Sequence, residues 1–210
     1  MTPPGSSWRS HCASIGVLLP EGRADEPWGA EPLLSTPGYV DLARQVAGLP
    51  LCGGLLRLVG EREGGLASEF IQEGFPEFAA GRCRSRPTGL AAWSRWTGRR
   101  PPGLLLIEPG SADAFEIDES FVDFFNVDVV DDPDTFLAAD LFRDWQAAGG
   151  GVPGVGQCAG FKVPLFPGGA GAAANLELTD LEVYWSFAAQ LRARTRGLPP
   201  GTRIGSVDSR

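Results

Sequence analysis

The sequence predicts an α+β protein in which a mostly antiparallel sheet is packed by a few helices, after an irregular N-terminal lead-in. A short apolar run at 104–107, a Pro-Gly turn and a returning strand through Phe115 and Ile117 together indicate a β-hairpin. Two later segments carry apolar residues at helical spacing. Residues 1–36 are rich in Pro, Gly and Ser and show no periodicity, which is typical of irregular chain.

Two short helices are predicted before residue 80. Thr36 and the proline that follows it favour the start of a helix that ends at Gly48. A second short helix is predicted over 66–74, where we expect Phe70 and Ile71 to face inward.

Strands are predicted on either side of the second helix. Residues 53–59 favour a strand after a Gly-Gly turn, and residues 82–96 predict two strands joined by a Pro-Thr-Gly turn. With the two helices, these strands make up a region at 37–102. The sequence separates this region from a clearer one at 103–200 and from a tail at 201–210.

The clearer region contains further helical segments. Ser120 can cap a helical turn in which Asp123 supplies the acid of a capping box. Pro133 and Asp134 open a second helix, which the glycines at 149–151 stop. Its apolar stripe consists of Phe136, Leu137, Leu141 and Trp145.

The last helix has the strongest pattern. Thr179 and Glu182 have the spacing of a capping box at its start, and Gly197 closes it. Its apolar positions, all at helical spacing, are Leu181, Tyr184, Trp185, Ala188 and Leu191.

Composition excludes several classes of protein. The formal net charge of −8 argues against a nucleic-acid binder that neutralises phosphates. No run approaches the ~20 apolar residues that span a bilayer, and the run at 15–19 is too short for a signal-peptide core. We therefore expect a cytoplasmic protein with no membrane partner. The four cysteines, at positions 12, 52, 83 and 158, are far apart, so free thiols are expected.

Negative charge is concentrated in one part of the chain. Residues 108–144 contain twelve acids and one base, Arg143, for a net charge of −11, so the remainder carries +3. An acidic segment on a nearly neutral body indicates a basic partner, because complementary fields steer encounter and disfavour wrong partners. The alternative is that these acids merely solvate helix faces and turns.

Residues that support catalysis or metal binding are sparse. His11 is the single histidine and lies in the lead-in, so nucleophilic pairs lack a base and zinc lacks a ligand cluster. The aspartates of 128–134 lack the Gly and Glu of a calcium loop, and the glycines of 149–156, which indicate a flexible connector, lack the Gly-Lys-Ser/Thr of a phosphate loop. We expect no catalytic residue, no metal and no cofactor. A carboxylate-pair hydrolase stays open, because the separation of two carboxylates is a three-dimensional property.

Two runs near the C-terminus form an ordered motif. Residues 158–169 read CAGFKVPLFPGG, and residues 175–186 read NLELTDLEVYWS. These runs resemble the C-terminal domain of type VI secretion DNase-immunity proteins, a domain that usually follows a GAD-like domain. The upstream elements that match it in the same order are the hairpin at 105–110 and the segments 121–125 and 138–145.

The resemblance covers 103–200 and fades before residue 100. Residues 70–78 resemble the GAD-like half, whereas 84–96 lacks the aromatic-acid strand that is usual there. The region 37–102 is therefore expected to be a degenerate GAD-like sub-domain.

The resemblance implies that the chain is an immunity protein, not an enzyme, that binds and inhibits a cognate secreted DNase toxin. A nuclease presents cationic groups to phosphates, so an acidic segment can occupy that basic surface. The residues expected to contact the toxin are Phe121, Phe125, Asp128, Asp131, Asp132 and Asp134. Lys162 and Trp185 either make contacts or support the fold, and for Trp185 the structural role is favoured. The alternatives are an orphan intracellular interaction or regulatory module of the same fold and the hydrolase.

Overall fold

The computed structural model describes residues 34–58, 69–79, 85–87, 93–96 and 104–199. Within these ranges helices alternate with short antiparallel strands, so the predicted α+β class is confirmed. Nearly all of the lead-in expected at 1–36, and the whole tail at 201–210, lie outside the described residues.

The described strands form three small antiparallel sheets. Their bounds are β1 (Pro50–Leu51), β2 (Leu56–Arg57), β3 (Ser85–Pro87), β4 (Trp93–Trp96), β5 (Leu104–Glu108), β6 (Asp113–Ile117), β7 (Gln157–Phe161) and β8 (Leu176–Asp180). β1 pairs with β2, β7 pairs with β8, and the largest sheet has the order β3-β4-β5-β6. The predicted hairpin is confirmed, with Leu104 opposite Ile117. The strand expected over 53–59 is shorter, because Gly53 and Gly54 adopt positive φ in a 3-10 turn before β2.

Besides two 3-10 turns, Cys52–Gly54 and Ala173–Asn175, seven helices lie in the described ranges. They are α1 (Tyr39–Val46), α2 (69–74), α3 (Pro76–Ala79), α4 (121–131, whose middle part Phe124–Asp128 is a π-helix), α5 (Pro133–Leu137), α6 (Ala139–Ala147) and α7 (Leu181–Thr195). None of the helices described is long and apolar enough to cross a membrane.

The predicted helix boundaries need three corrections. α1 begins after Gly38, a left-handed residue, so Thr36 precedes the helix and accepts a backbone hydrogen bond from Tyr39. The helix expected after Pro133 is two helices, because Ala138 adopts a φ of 49° between them. α7 begins at Leu181 and is capped by Asp180, the last residue of β8, whose side chain accepts the N–H of Val183 at 3.0 Å, so the cap lies one residue after the predicted Thr179.

Two hydrophobic clusters form the core. The first cluster combines α1 and the β1–β2 hairpin with α4, α5, α6 and the β7–β8 hairpin. It therefore joins residues from 37–102 to residues from 103–200. The second cluster packs Phe70, Ile71 and Phe75 against α7, Cys158 of β7 and Ile107 of β5. The apolar stripe predicted for α7 is buried at every position, and the inward orientation of Phe70 and Ile71 is confirmed.

Two arginines near the end of α7 bind residues of α2 and α3. Arg192 donates to the Gly74 carbonyl and to the Glu77 carboxylate, both at 2.6 Å, and Arg196 lies 3.2 Å from the same carboxylate. Although burial opposes ionisation of Glu77, these arginines hold the pKa of its carboxyl below the ordinary value.

The glycine-rich loop at 149–156, which the sequence predicts as a flexible connector, makes hydrogen bonds to the body of the protein. The buried Arg57 guanidinium donates to the Pro153 carbonyl at 2.9 Å, and Gln146 donates to the carbonyls of Gly53 and Gly151. These bonds tie the loop to the β1–β2 hairpin.

Candidate partner-binding surface

Most acids of 108–144 lie at the surface. The exposed ones are Asp113, Glu116, Asp118, Glu119, Asp123, Asp131, Asp132, Asp134, Asp140 and Asp144. Arg143 forms an ion pair with Asp140 one helical turn away. Across the described ranges, no other cation is paired with an acid of α4 to α6. We call the exposed acids of α4 to α6, together with Asp118 and Glu119, the acidic surface. Most of the negative charge of this surface is therefore uncompensated.

Three acids of the acidic surface also shape the backbone. The Ser120 hydroxyl accepts the N–H of Asp123 at 3.1 Å and donates to its carboxylate at 2.6 Å, which confirms the predicted cap. Asp132 accepts the N–H of Thr135 and thereby caps α5, which lowers the pKa of its carboxyl. Asp134 accepts the N–H of Asp140 at 2.9 Å and so bridges α5 to α6. Solvation alone does not explain these three residues.

Asp128 lies at the end of the π-helix among other acids. Partial burial raises the pKa of its carboxyl, and the nearby charges of Glu119, Asp123 and Asp131 raise it further. Its Oδ2 atom is buried and has no hydrogen-bond partner in the described part of the chain. Asp131, by contrast, is exposed. Three of the four predicted contact acids, Asp131, Asp132 and Asp134, are thus open to a partner, and Asp128 is only partly so.

The two phenylalanines predicted as contacts lie in the core, so this part of the prediction needs correction. Phe121 and Phe125 are 2% and 1% exposed. Their ring centroids are 5.0 Å apart, and Phe121 also packs edge-on against Tyr39. The spacing of Phe121, Phe124 and Phe125 along a helix is the signal that sequence reasoning missed, since apolar residues three and four apart form a buried face.

The motif that carries the resemblance builds a tightly bonded loop between β7 and β8. Asn175 accepts the N–H of Val163 and donates to the carbonyls of Val163 and Ala170. Lys162 donates to the Ala174 carbonyl at 2.8 Å. A side chain at Gly169 would bring a Cβ within 1.9 Å of the Val163 oxygen, so only glycine fits there. These motif residues therefore have structural roles, and Trp185, with 0% exposure, has the structural role favoured above.

Glu108 differs from the other acids because it turns toward the interior. Its carboxylate accepts the N–H groups of Gly110 at 2.8 Å and Ser111 at 2.5 Å, which fixes the turn between β5 and β6. Burial raises the pKa of Glu108, and burial also raises the pKa of the Cys158 thiol and the Tyr184 hydroxyl nearby. A thiol that burial keeps protonated is a poor nucleophile. The Cys158 thiol is therefore suited to packing and not to attack on a substrate.

Comparisons with known proteins identify no family. The chain matches no protein-family model, and no curated protein is similar to it. Among the residues that the structure describes, no three His, Cys, Asp or Glu side chains are arranged to hold a metal ion.

Proposed function

We propose that this chain uses its acidic surface to bind and inhibit a cognate DNase toxin that is exported by type VI secretion. The observation that carries the proposal is the run of exposed carboxylates on α4 to α6 with one paired base, Arg143. The resemblance of 158–186 to DNase-immunity proteins supplies the class of partner. A nuclease needs a cationic surface for the phosphates of its substrate, and this surface complements such a charge.

Charge complementarity explains the selectivity and the association rate of a complex better than it explains a high affinity. A nanomolar complex requires about −12 kcal/mol, most of which comes from a few desolvated contacts. Because Phe121 and Phe125 are buried, they cannot provide these contacts. Val127 is 47% exposed and lies about one helical turn from both Asp123 and Asp131, so it is the apolar contact that we place at the centre of the acidic surface.

Co-expression with nuclease toxins encoded beside this chain tests the proposal by cell survival. The informative variant is Glu119→Arg with Asp131→Arg, because both acids are exposed near Asp128 and neither caps a helix. Asp132 and Asp134 are avoided since their replacement would disturb α5 and α6. The matched control is Glu73→Arg with Glu177→Arg, which makes the same change in net charge at exposed positions outside the acidic surface.

The expected result is that the parent chain and the control protect cells, whereas the double variant does not. Binding of the double variant should weaken by about tenfold or more at low salt, because charge reversal replaces attraction with repulsion. Equal protection by all three chains would refute the role of the acidic surface. Absence of protection against every neighbouring nuclease would refute the immunity function.

A further inference from the structure

α7 carries apolar residues on two opposite faces. The residues buried on its inner face are Leu181, Tyr184, Trp185, Ala188, Ala189 and Leu191. On the outer face, Val183 is 63% exposed, and Phe187, about one turn later, is 41% exposed. A helix at the surface of a protein normally presents polar residues to solvent on its outer face. The outer face of α7 therefore includes apolar surface that the protein itself does not bury.

The exposed apolar residues belong to a straight stripe along α7. Its members, spaced four, three and four residues apart and all exposed, are Val183, Phe187, Gln190 and Arg194. With 3.6 residues per turn, these positions lie within about 60° of one another around the helix axis. Such intervals are typical of a helix that packs against another helix along one narrow seam. We call these four residues the outer stripe.

The two ends of the outer stripe carry opposite charges. Glu182 lies in the first turn of α7, beside Val183, and is exposed. Arg194 lies in the last turn, about three turns away, and the other two arginines at this end bind Glu77. Each charge has the sign that the helix dipole favours at its end. A second α7 that runs in the opposite direction therefore brings an arginine to each glutamate, whereas a parallel one would place like charges side by side.

The intervals of the outer stripe match this antiparallel arrangement. When Phe187 lies opposite Gln190 of a second copy, Val183 lies opposite Arg194 of that copy, because both pairs are centred on the same point of the helix. The stem of Arg194 can then cover Val183 while its guanidinium reaches Glu182. The two Phe187 rings lie within about one turn of each other at the centre, where they can pack together. A second copy thus satisfies both the apolar and the charged residues of this face.

We propose that two copies of this chain associate through their outer stripes, with the two α7 helices antiparallel about a two-fold axis. Such an interface is isologous, because the same residues contribute to it from both copies. A contact through one helix of each copy is expected to bury less than the ~1,200 Å² of a stable specific complex, so the dimer is weak and reversible. The contact uses no acid of the acidic surface and is independent of the proposed function.

Sedimentation velocity of the full chain at about 0.15 M salt tests the inference. At this ionic strength, repulsion between two chains of net charge −8 is screened beyond ~8 Å. The expected result is a monomer below about 10 µM and a growing dimer population up to about 500 µM. Phe187→Ala should weaken association by about tenfold or more, since it removes the central ring. The matched control, Phe115→Ala, removes a similarly exposed ring from β6 and should associate as the parent does.

Charge reversal tests the antiparallel arrangement. Glu182→Arg and Arg194→Glu should each weaken association by about tenfold, because each places like charges opposite one another in a pair of identical copies. An equimolar mixture of the two variants should recover the association, since both charged contacts in the mixed dimer then join an arginine to a glutamate. The controls are Asp41→Arg and Arg44→Glu, which make the same changes at exposed positions near the two ends of α1 and should alter nothing, alone or mixed.

Any of three outcomes would overturn the inference. A parent chain that stays monomeric to about 500 µM would leave the outer stripe to a different protein. Association that Phe187→Ala does not weaken would place the contact elsewhere. A mixture of the two charge variants that does not recover association, although each variant is folded by circular dichroism, would exclude the antiparallel pair.

Discussion

The acidic surface and the segment from β7 to α7 use their polar residues in different ways. In the β7–α7 segment, Asn175 and Lys162 are occupied by hydrogen bonds within the loop, and Gly169 is required by close backbone contact. On the acidic surface, acids such as Asp131 and Asp144 are exposed. The polar residues of the β7–α7 segment therefore specify the fold, and the exposed acids lie elsewhere.

Replacement of Trp185 should give the largest effect on stability. Its indole is fully buried and lies 6.1 Å from the Phe70 ring and 5.9 Å from the Phe75 ring. Trp185→Ala should reduce the free energy of unfolding by about 3–5 kcal/mol, since it leaves a cavity at the centre of the second cluster. Urea denaturation measures this. Val183→Ala, at a position 63% exposed on the same helix, should change stability by less than about 0.5 kcal/mol. Equal effects would contradict the burial of Trp185.

Replacement of Gly160 should give a smaller but clear loss. A Cβ at this position would lie 2.6 Å from the Tyr184 ring and 2.8 Å from the Thr179 methyl group. Gly160→Ala should therefore cost about 1–3 kcal/mol through overpacking between β7 and α7. Gly171→Ala is the control, because a Cβ there meets no atom within 4 Å. A thermal melt in which both variants match the parent would show that α7 can move away from β7 without penalty.

Asn175 tests whether the loop of the motif depends on its side chain. Asn175→Ala removes one hydrogen bond from Val163 and two to the carbonyls of Val163 and Ala170, so we expect a loss of about 1–2 kcal/mol. Asn175→Asp keeps the acceptor but places a carboxylate oxygen against the two carbonyls, and it should not restore stability. Recovery of parental stability in the Asp variant would assign the whole contribution of Asn175 to the hydrogen bond that its side chain accepts from the Val163 N–H.

Local sequence patterns predicted the helices and strands well where a segment carried only one kind of pattern. The β5–β6 hairpin follows from its apolar run and Pro-Gly turn, and the buried stripe of α7 follows from helical spacing. The ends of the helices depended on contacts in the folded protein that the sequence does not reveal. Thr179 and Asp180 are both capable caps and both pair with β7, and only the three-dimensional structure shows that Asp180, the last residue of β8, caps α7. Likewise, the left-handed Ala138 is set by packing, because no local preference of alanine favours it.

The candidate contacts were predicted less well than the fold. The acids were chosen through charge, which is visible in sequence. Phe121 and Phe125 are in the core because α4 turns them toward α1. Their helical spacing with Phe124 indicates a buried face, although the element that covers this face, α1, leaves no local signal.

Asp128 should give the smallest effect, and one of opposite sign to those of the motif. Its pKa is raised in the folded protein by burial and by neighbouring acids, so the ionised carboxylate destabilises the fold at pH above that raised pKa. The penalty is relieved as the pH falls and the group becomes protonated in both states. Asp128→Asn should therefore raise the urea midpoint near pH 7 and leave it unchanged near pH 3, whereas Asp144→Asn should alter neither. A midpoint lowered by Asp128→Asn near pH 7 would mean that this carboxylate stabilises the fold. The acidic surface would then use Asp128 for stability, as the β7–α7 segment uses its polar residues.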